Sequence, residues 1–322
     1  MRYTRLGKTD LNVSVLALGT WAFGGEWGFF DRTDADSAIN SALGNGITLF
    51  DTAQGYGFGA AERLLGESLW KRVRRDEVIL ATKGGLRMDG PTLVRDASAR
   101  WLRAGVEASL RNLSTDYIDL YQVHWPDPAT PDEETADALN QLLSTGMIRH
   151  IGVSNYDAKQ IEALSHHCPV ETLQPPYHMF RRDIEAEILP YTGTNDIGVL
   201  AYGPLAHGLL GGRKTTETAF PPDDWRSHSR DFAGDTYRHN LEVVARLNRL
   251  AAERGVPLPQ LAVAWTVDNP AVDVALIGAR SASQLDALTP AAEVELTAQD
   301  HDTIEAILAD AAPVTGPAPE GM

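Results

Sequence analysis

Three apolar runs in the sequence are each followed at once by an ionisable side chain. Asp51 closes the run ITLFD and is followed shortly by Tyr56, Lys83 closes VILATK, and His124 closes YIDLYQVH. Carbonyl reduction needs a hydride donor and a proton donor at the oxygen, and a tyrosine hydroxyl with its ordinary pKa of ~10 is a sluggish acid near neutrality. A neighbouring ammonium group would lower that pKa by stabilising the tyrosinate.

These four side chains together suit the reduction of a carbonyl group without a metal. Lys83 near Tyr56 would lower the pKa of the hydroxyl, Asp51 would hold and compensate the lysine, and His124 could orient or polarise the carbonyl oxygen. Taken singly, each residue also has an ordinary interpretation: a helix cap, a loop aromatic, a solvated strand end or a satisfied polar side chain. The chemical interpretation therefore depends on all four residues meeting at one face of the fold.

Short β-rich apolar runs recur along the chain, and most are separated by segments with helical periodicity, which is typical of parallel strands. Eight strands are predicted, over 15–19, 47–52, 78–82, 117–123, 149–153, 170–174, 197–202 and 273–277. Eight such units predict an α/β fold of the (β/α)8 TIM-barrel type. Residues at the carboxyl ends of barrel strands form the usual catalytic set, which is where the ionisable side chains fall.

Other segments have less regular patterns. An apolar stripe predicts a first helix with Thr33 or Asp34 as its N-cap and with Gly44 or Gly46 ending it, and further helices are predicted over 95–112 and 157–166. Residues 3–14 predict a β-hairpin that plugs one end of the barrel. The long segment 203–240 follows the seventh strand without periodicity, so we expect it to be functional.

The chain from 1 to 322 is predicted to be a single barrel domain, with a loose tail after about residue 310. Its formal charge is −16, without a run of Lys and Arg, so nucleic acid and anionic membranes are poor partners. The start lacks the apolar core of a signal peptide and no stretch approaches the ~18 to 20 apolar residues of a spanning helix, so a cytoplasmic protein is expected. The single cysteine, Cys168, is expected to pack, and no bound metal is expected because no Cys/His cluster has ligand spacing.

The order and spacing of several motifs resemble the aldo-keto reductases from Tyr3 to roughly Asp310. The motifs are LGKTDLNVSVLALGTW (6–21), FDTAQGYGFGAAERLLGESL (50–69), ILATK (79–83), SLRNLSTDYIDLYQVHWPD (109–127), IGVSNY (151–156), LQPPY (173–177), AYGPLAHGLL (201–210) and IGARSASQ (277–284). The resemblance implies that Tyr56 is the proton donor, that Lys83 and Asp51 modulate it, and that His124 orients the substrate.

The resemblance also implies a nicotinamide cofactor. Ser154, Asn155 and Gln174 would bind its carboxamide, Tyr177 would stack on its ring, and AYGPLAHGLL would cradle its diphosphate with accessible backbone amides. The complete implied cofactor set is Gly19, Thr20, Trp21, Asp51, Ser154, Asn155, Gln174, Tyr202, Gly203, Pro204, Leu205, Gly208, Leu210, Gly278, Arg280 and Gln284. No Gly-x-Gly-x-x-Gly motif follows the first strand, which disfavours a Rossmann fold.

The adenosine end of the implied site departs from the usual family pattern. Many relatives have two basic residues for the 2′-phosphate, whereas Ser281 here follows the single Arg280. Because an arginine can bind a phosphate in bidentate fashion, NADP(H) is favoured and NAD(H) remains possible. Three histidines outside the tetrad, His166, His167 and His207, are expected to be solvated.

Aromatic residues gather in the loops predicted at the mouth and suggest an apolar pocket for aldehydes, with ketones as a second class. They are Trp21, Phe23, Trp27, Phe29, Phe30, Trp125 and Phe180. Trp21 and Trp125, with Tyr56 and His124, are the expected substrate contacts. The oligomeric state is not predicted.

Two other functions remain open at this point. One is a regulatory protein resembling the potassium-channel beta subunits, which share the fold and hold a cofactor; the intact tetrad does not exclude it, although a long extra N-terminal segment and an apolar docking stripe are missing. The other is an unrelated barrel enzyme, either a metal hydrolase or an aldolase with Lys83 as Schiff-base nucleophile.

Overall fold

Eight parallel strands close into a barrel in the computed structural model, which describes residues 1–314 except 26, 28, 29 and 223. Phe29, expected among the mouth aromatics, lies outside the described residues. The barrel strands, in spatial and chain order, are β3 (Leu16–Gly19), β4 (Leu49–Asp51), β5 (Ile79–Gly84), β8 (Ile118–Val123), β9 (Ile148–Ser154), β10 (Thr172–Gln174), β11 (Gly198–Tyr202) and β12 (Val274–Gly278). Strand β12 pairs with β3 to complete the closure, so the predicted TIM barrel and its eight strands are confirmed.

Helices cover the outside of the barrel wall. They are α1 (Arg32–Gly44), α2 (Ala60–Leu69), α3 (Ala99–Leu113), α4 (Asp132–Ser144), α5 (Ala158–Ser165), α6 (Ile188–Thr194), α7 (Gly234–Glu253), α8 (Leu258–Asp268), α9 (Ala282–Leu288) and α10 (Ala298–Leu308). Short 3-10 turns lie at Trp21–Phe23, Arg75–Glu77, Asp183–Glu185, Ala206–Gly211, Trp225–His228, Arg230–Phe232 and Thr289–Glu293. The predicted cap of α1 was wrong, because Asp31 caps this helix by accepting a hydrogen bond from the Thr33 amide.

The N-terminal hairpin consists of β1 (Tyr3–Arg5) and β2 (Asn12–Ser14) and closes the amino-terminal end of the barrel. The Lys8 amide in its turn donates to the carbonyl of Asp196, just before β11, at 2.8 Å. Gly7 has a φ of +49°, and a Cβ there would come within 2.1 Å of the Gly198 nitrogen, so only glycine fits this close approach. The predicted plug is therefore present, and it leaves the carboxyl-terminal end for chemistry.

A second hairpin, which the strand analysis missed, follows β5 at the carboxyl-terminal end. It consists of β6 (Leu86–Asp89) and β7 (Thr92–Arg95) around the positive-φ residue Gly90. The Asp-Gly pair was an available turn signal. The hairpin displaces the start of α3 from the predicted 95 to 99, where Ser98 caps the helix by accepting from the Trp101 amide.

Apolar side chains fill the barrel interior below its carboxyl-terminal end, and a larger apolar layer lies between strands and helices. The lone cysteine, Cys168, belongs to that outer layer, and burial raises the pKa of its thiol to about 12, which agrees with a packing role. Among the described residues, every helix is too short or too polar to span a bilayer.

The first residues of the tail are docked rather than loose. The Val314 amide donates to the carbonyl of Phe180 at 2.8 Å, and the side chain of Asn240 exchanges two hydrogen bonds of 2.9 Å with the backbone of Ala312. The prediction of a loose tail was wrong for residues 311–314, and the rest of the tail lies outside the described residues.

Candidate active site

The carboxyl ends of β4 and β5 bring Asp51, Lys83 and Tyr56 together. Lys83 is fully buried and its Nζ donates to Asp51 Oδ2 at 2.6 Å, to the Thr52 carbonyl at 3.0 Å and to the Tyr56 hydroxyl at 3.3 Å. An ammonium group has three N–H donors, so each one has an acceptor. The arrangement keeps a fully buried positive charge in contact with the phenol oxygen.

His124 completes the group from the neighbouring strand β8. Its backbone amide donates to the Gly84 carbonyl at 2.9 Å, which extends the strand ladder by one residue and fixes the position of the side chain. The imidazole is 2% exposed, and its ring meets that of Tyr56 edge to face at 5.8 Å between centroids. All four residues predicted from strand ends therefore lie in one cluster.

The second carboxylate oxygen of Asp51 contacts the residues expected to bind a carboxamide. The side-chain Nε2 of Gln174 donates to Asp51 Oδ1 at 2.9 Å. The backbone carbonyl of Gln174 accepts from Ser154 Oγ at 2.9 Å and from the backbone amide of Asn155 at 3.2 Å. Asn155 has a left-handed φ of +62°, and its Oδ1 accepts from the Tyr202 hydroxyl at 2.9 Å. These residues form one connected network with Asp51.

Sequence inspection missed one member of this network, the β8 residue Gln122. Its Nε2 donates to Asp51 Oδ1 at 3.4 Å, and its Oε1 accepts from Gln174 Nε2 at 3.4 Å. The residue lies within an apolar run, and no strand-end position marked it.

A groove of about 840 Å³ runs from Asp51 and Tyr56 along the carboxyl-terminal face to α9. The predicted cofactor residues that line it are Gly19, Thr20, Trp21, Asp51, Gln174, Tyr202, Gly203, Pro204, Leu205, Gly208, Gly278, Arg280 and Gln284. Ser154, Asn155, His124 and Trp125 are not part of the lining. Trp125 is 8% exposed and has the Arg95 guanidinium of the second hairpin 5.0 Å from its ring centroid.

Two of the backbone amides expected to remain accessible are engaged within the loop after β11. The amides of Gly208 and Leu210 donate to the Leu205 carbonyl at 2.9 and 3.1 Å, and the Leu210 side chain is fully buried. The expectation of a cradle with open amides at these two positions was wrong, because the loop is wound into a tight turn. Ala206 and His207 have left-handed φ values of 47° and 54°, a sparsely populated conformation for residues with a Cβ.

Four basic residues line the groove, and only Arg280 was predicted. Arg213, Lys214 and Arg226 come from the irregular segment after β11. Burial lowers the pKa of Lys214, and the charges of Arg226 and Arg280 lower it further. The groove is thus locally positive in a protein with a net charge of −16, as a polyanionic ligand requires.

The segment after β11 crosses the groove and meets the loop after β3. Asp224 and Trp27 form an antiparallel bridge, and Arg226 donates to the His207 carbonyl at 3.1 Å while its guanidinium lies 4.7 Å from the Trp27 ring centroid. Arg226 is itself held by the buried Asp224 carboxylate at 2.6 Å. The predicted functional segment therefore closes over one side of the groove.

An aromatic cluster lies above Tyr56. Trp21 stacks with Tyr56 at 6.4 Å and with Trp225 at 6.2 Å, and Trp27 meets Trp21 edge to face at 5.0 Å. His207 is half-buried, lines the groove and meets Trp225 edge to face at 5.1 Å. His166 and His167 are exposed, as expected.

Tyr177 does not lie in the groove. It is 1% exposed, stacks on Trp265 at 5.1 Å and donates from its hydroxyl to Glu185 at 2.7 Å. The expectation that it stacks on a nicotinamide ring was wrong, and Tyr202 is the tyrosine of this region that lines the groove.

The family model described as the Aldo/keto reductase family matches residues 15–309. The chain belongs to the aldo-keto reductase family. It is 44% identical to an aldo-keto reductase of Bacillus subtilis over 96% of this chain and 94% of that protein. It is also 34% identical to the NADH-specific methylglyoxal reductase of Escherichia coli, over 93% of this chain and 96% of that protein.

Among solved structures, the glycerol dehydrogenase of Gluconobacter oxydans superposes with a TM-score of 0.89 at 37% identity, covering 98% of this chain and 97% of that one. The aldo-keto reductase resemblance and the barrel fold are thus confirmed. This aldo-keto reductase is an oxidoreductase of a family that uses nicotinamide cofactors, NADH or NADPH.

Proposed function

We propose that this aldo-keto reductase reduces aldehydes, and ketones as a second class, to alcohols with NADPH, and that Tyr56 is the proton donor. The observation that carries the proposal is the buried Lys83 ammonium, which donates to the Tyr56 hydroxyl at 3.3 Å while Asp51 compensates its charge at 2.6 Å. A positive charge at the phenol oxygen stabilises the tyrosinate that remains after proton transfer.

Each residue of the tetrad then has one task. Lys83 donates to the phenol oxygen of Tyr56, so the phenol proton is available to the carbonyl oxygen of the substrate. Asp51 holds the ammonium in place, and His124, edge to face with Tyr56, orients or polarises the same carbonyl. A bound nicotinamide supplies the hydride to the carbonyl carbon, so one hydride and one proton convert the carbonyl to an alcohol.

The groove fits a dinucleotide. The chain would bind the carboxamide at Ser154, Asn155 and Gln174, which already form one network beside Asp51. Tyr202 lines the wall next to them and can cover one ring face. Because the loop amides of Gly208 and Leu210 are used internally, the diphosphate is assigned mainly to side-chain cations rather than to an amide cradle.

We assign NADP(H) because Arg280 belongs to a cluster of four basic residues and lies beside Gln284 at the far end of the groove. The Gln284 Oε1 accepts from the Arg280 amide at 2.9 Å, which fixes the backbone that presents the guanidinium. An arginine–phosphate pair is a charge-assisted and often bidentate contact. The NADH-specific relative makes a direct comparison of both cofactors necessary.

The substrate is assigned to the part of the groove that Tyr56 and the aromatic cluster line. Trp21 is the main contact, since it stacks directly on Tyr56. His124 and Trp125, which are not part of the groove lining, are proposed as further substrate contacts, and Arg95 of the second hairpin lies over the Trp125 ring. Walls of indole rings favour small carbonyl compounds with an apolar body.

The test is a panel of aldehydes and ketones assayed with NADPH and NADH separately, for the parent and for Tyr56→Phe. We expect NADPH-dependent reduction that falls by ~100-fold or more in Tyr56→Phe, while cofactor affinity is retained. Tyr121→Phe is the matched control, because it removes a fully buried hydroxyl on β8 that faces glycine residues 84 and 105 outside the groove. Full activity in Tyr56→Phe would refute the assignment, and cofactor binding without turnover of any carbonyl would favour a regulatory protein.

A further inference from the structure

We propose that Gln122 is a positioning residue for proton transfer that acts through Asp51. The inference rests on the proposed role of Tyr56 and adds a residue to which the sequence motifs assigned no role. Gln122 is fully buried inside the barrel, and its Nε2 lies 3.4 Å from Asp51 Oδ1. It does not line the groove, so it affects the chemistry only through its neighbours.

The contacts of Asp51 divide between its two oxygens. Oδ2 accepts the short bond from Lys83, whereas Oδ1 accepts only from amide groups, those of Gln174 at 2.9 Å and Gln122 at 3.4 Å, among the contacts of the described residues. The side-chain oxygen Oε1 of Gln122 in turn accepts from Gln174 Nε2 at 3.4 Å. Gln122 thus orients both the carboxylate and the second amide that binds it.

The barrel interior provides a specific space for this side chain. A Cβ at Gly152 on the next strand would lie 3.0 Å from Gln122 Cγ and 2.2 Å from Thr172 Oγ1. Glycine is therefore needed there, and the long amide of Gln122 crosses the barrel over it toward Asp51. A polar side chain buried at this depth without a polar partner would be costly, which favours a defined hydrogen-bonding role.

The charge of Asp51 determines the direction of the expected effect on proton transfer. The amide hydrogens on Oδ1 offset part of the negative charge of Asp51, and that charge opposes formation of a tyrosinate at Tyr56. Loss of the Gln122 amide leaves more of the carboxylate charge to act on the proton donor. Reduction should therefore slow, and tyrosinate at Tyr56 should form only at higher pH.

The experiment compares three variants of similar side-chain volume with the parent. We expect Gln122→Met to lower kcat for aldehyde reduction about 3- to 10-fold, the size of one ordinary hydrogen bond, without more than a ~2-fold change in NADPH affinity. Gln122→Glu, which keeps the shape of the side chain but adds a carboxyl group beside Asp51, should lower kcat more than Gln122→Met does. Thr172→Val is the matched control in the same layer, since the buried Thr172 hydroxyl has no hydrogen-bond partner among the described residues.

Two readouts separate positioning from packing. In an Asp51→Asn background, Gln122→Met should change kcat less than ~2-fold, because the group through which it acts has lost its charge. The tyrosinate absorbance of Tyr56, taken as the difference from the same protein carrying Tyr56→Phe, should appear at higher pH in Gln122→Met than in the parent. This titration needs neither substrate nor cofactor, so it still tests Gln122 if the parent reduces no carbonyl.

A packing role predicts the opposite pattern. Gln122→Glu would then have the kcat of the parent, and Gln122→Met would lower kcat by the same factor with Asp51 intact and in the Asp51→Asn background. The pH at which the Tyr56 tyrosinate forms would not change. That pattern, or a kcat of Gln122→Met equal to that of the parent, would overturn the proposal. If Gln122→Met does not fold, Gln122→Leu replaces it in the same comparisons.

Discussion

Lys83 and Asp51 form a buried ion pair. Removing either partner alone should therefore cost more stability than removing both together. Lys83 is 0% exposed and Asp51 is 2% exposed, and their charged atoms are 2.6 Å apart. Lys83→Met would leave the carboxylate buried, with two amide donors and no cation. Stranding one charge of a buried pair costs about 3–5 kcal/mol of unfolding free energy.

The double variant Asp51→Asn/Lys83→Met buries no net charge and should therefore be at least as stable as Lys83→Met alone. If each single variant loses about 3–5 kcal/mol, the double variant should fall at least ~2 kcal/mol short of their sum. Urea unfolding followed by the fluorescence of the seven tryptophans measures all four proteins. Losses that simply add, or a Lys83→Met variant as stable as the parent, would show that the pair is not a desolvated ion pair and would remove the electrostatic basis proposed for Tyr56.

Three further predictions concern the groove, its roof and the far end of the barrel. Arg280→Ala should raise the Kd for NADPH about 10- to 100-fold and the Kd for NADH less than ~3-fold, both measured by fluorescence titration. An equal increase of the two Kd values would show that the 2′-phosphate is bound elsewhere. Trp225→Ala, which removes the ring stacked on Trp21, should raise the ratio of kcat/KM for an aromatic aldehyde to that for a three-carbon aldehyde about 10-fold, and an unchanged ratio would place the substrate away from this roof. Burial lowers the pKa of His150, but hydrogen bonds and charges from Glu171 and Asp10 outweigh it and raise the pKa above 6.5 overall. The stabilisation that protonated His150 gives to the fold is therefore full below pH 6.5 and is lost as the pH rises through the higher folded-state pKa. Thermal unfolding should show His150→Gln less stable than the parent at about pH 6 and close to it at about pH 9. A stability difference between the two proteins that does not narrow with rising pH would contradict this role of His150.

Strand-end chemistry was predictable from the sequence because parallel barrel strands share one carboxyl-terminal face. Asp51, Lys83 and His124 needed only the strand ends and the fold class to be placed together, and each lies at or just past the carboxyl end of its strand. The relative order of the strands also required no information beyond chain order, since sequential βα units become neighbours.

Residues whose position depends on irregular backbone could not be placed in this way. Lys214 and Arg226 reach the groove because the segment after β11 turns back across it, and no periodicity in that segment encodes its path. Tyr177 was assigned to the groove by its motif but packs on Trp265. Gln122 escaped notice because a buried polar residue within an apolar strand can be distinguished from a packing residue only when its partners are known.

The positive groove and the tetrad follow the same physical rule at opposite ends of the site. Each places a few charges at largely buried positions and supplies their partners locally, Asp224 for Arg226 and Asp51 for Lys83. A net charge of −16 therefore decides little about the ligand, since screening weakens distant surface charges but not contacts of 2.6 Å inside the fold. Ligand chemistry in this protein should accordingly respond to single buried substitutions far more than to changes of surface charge.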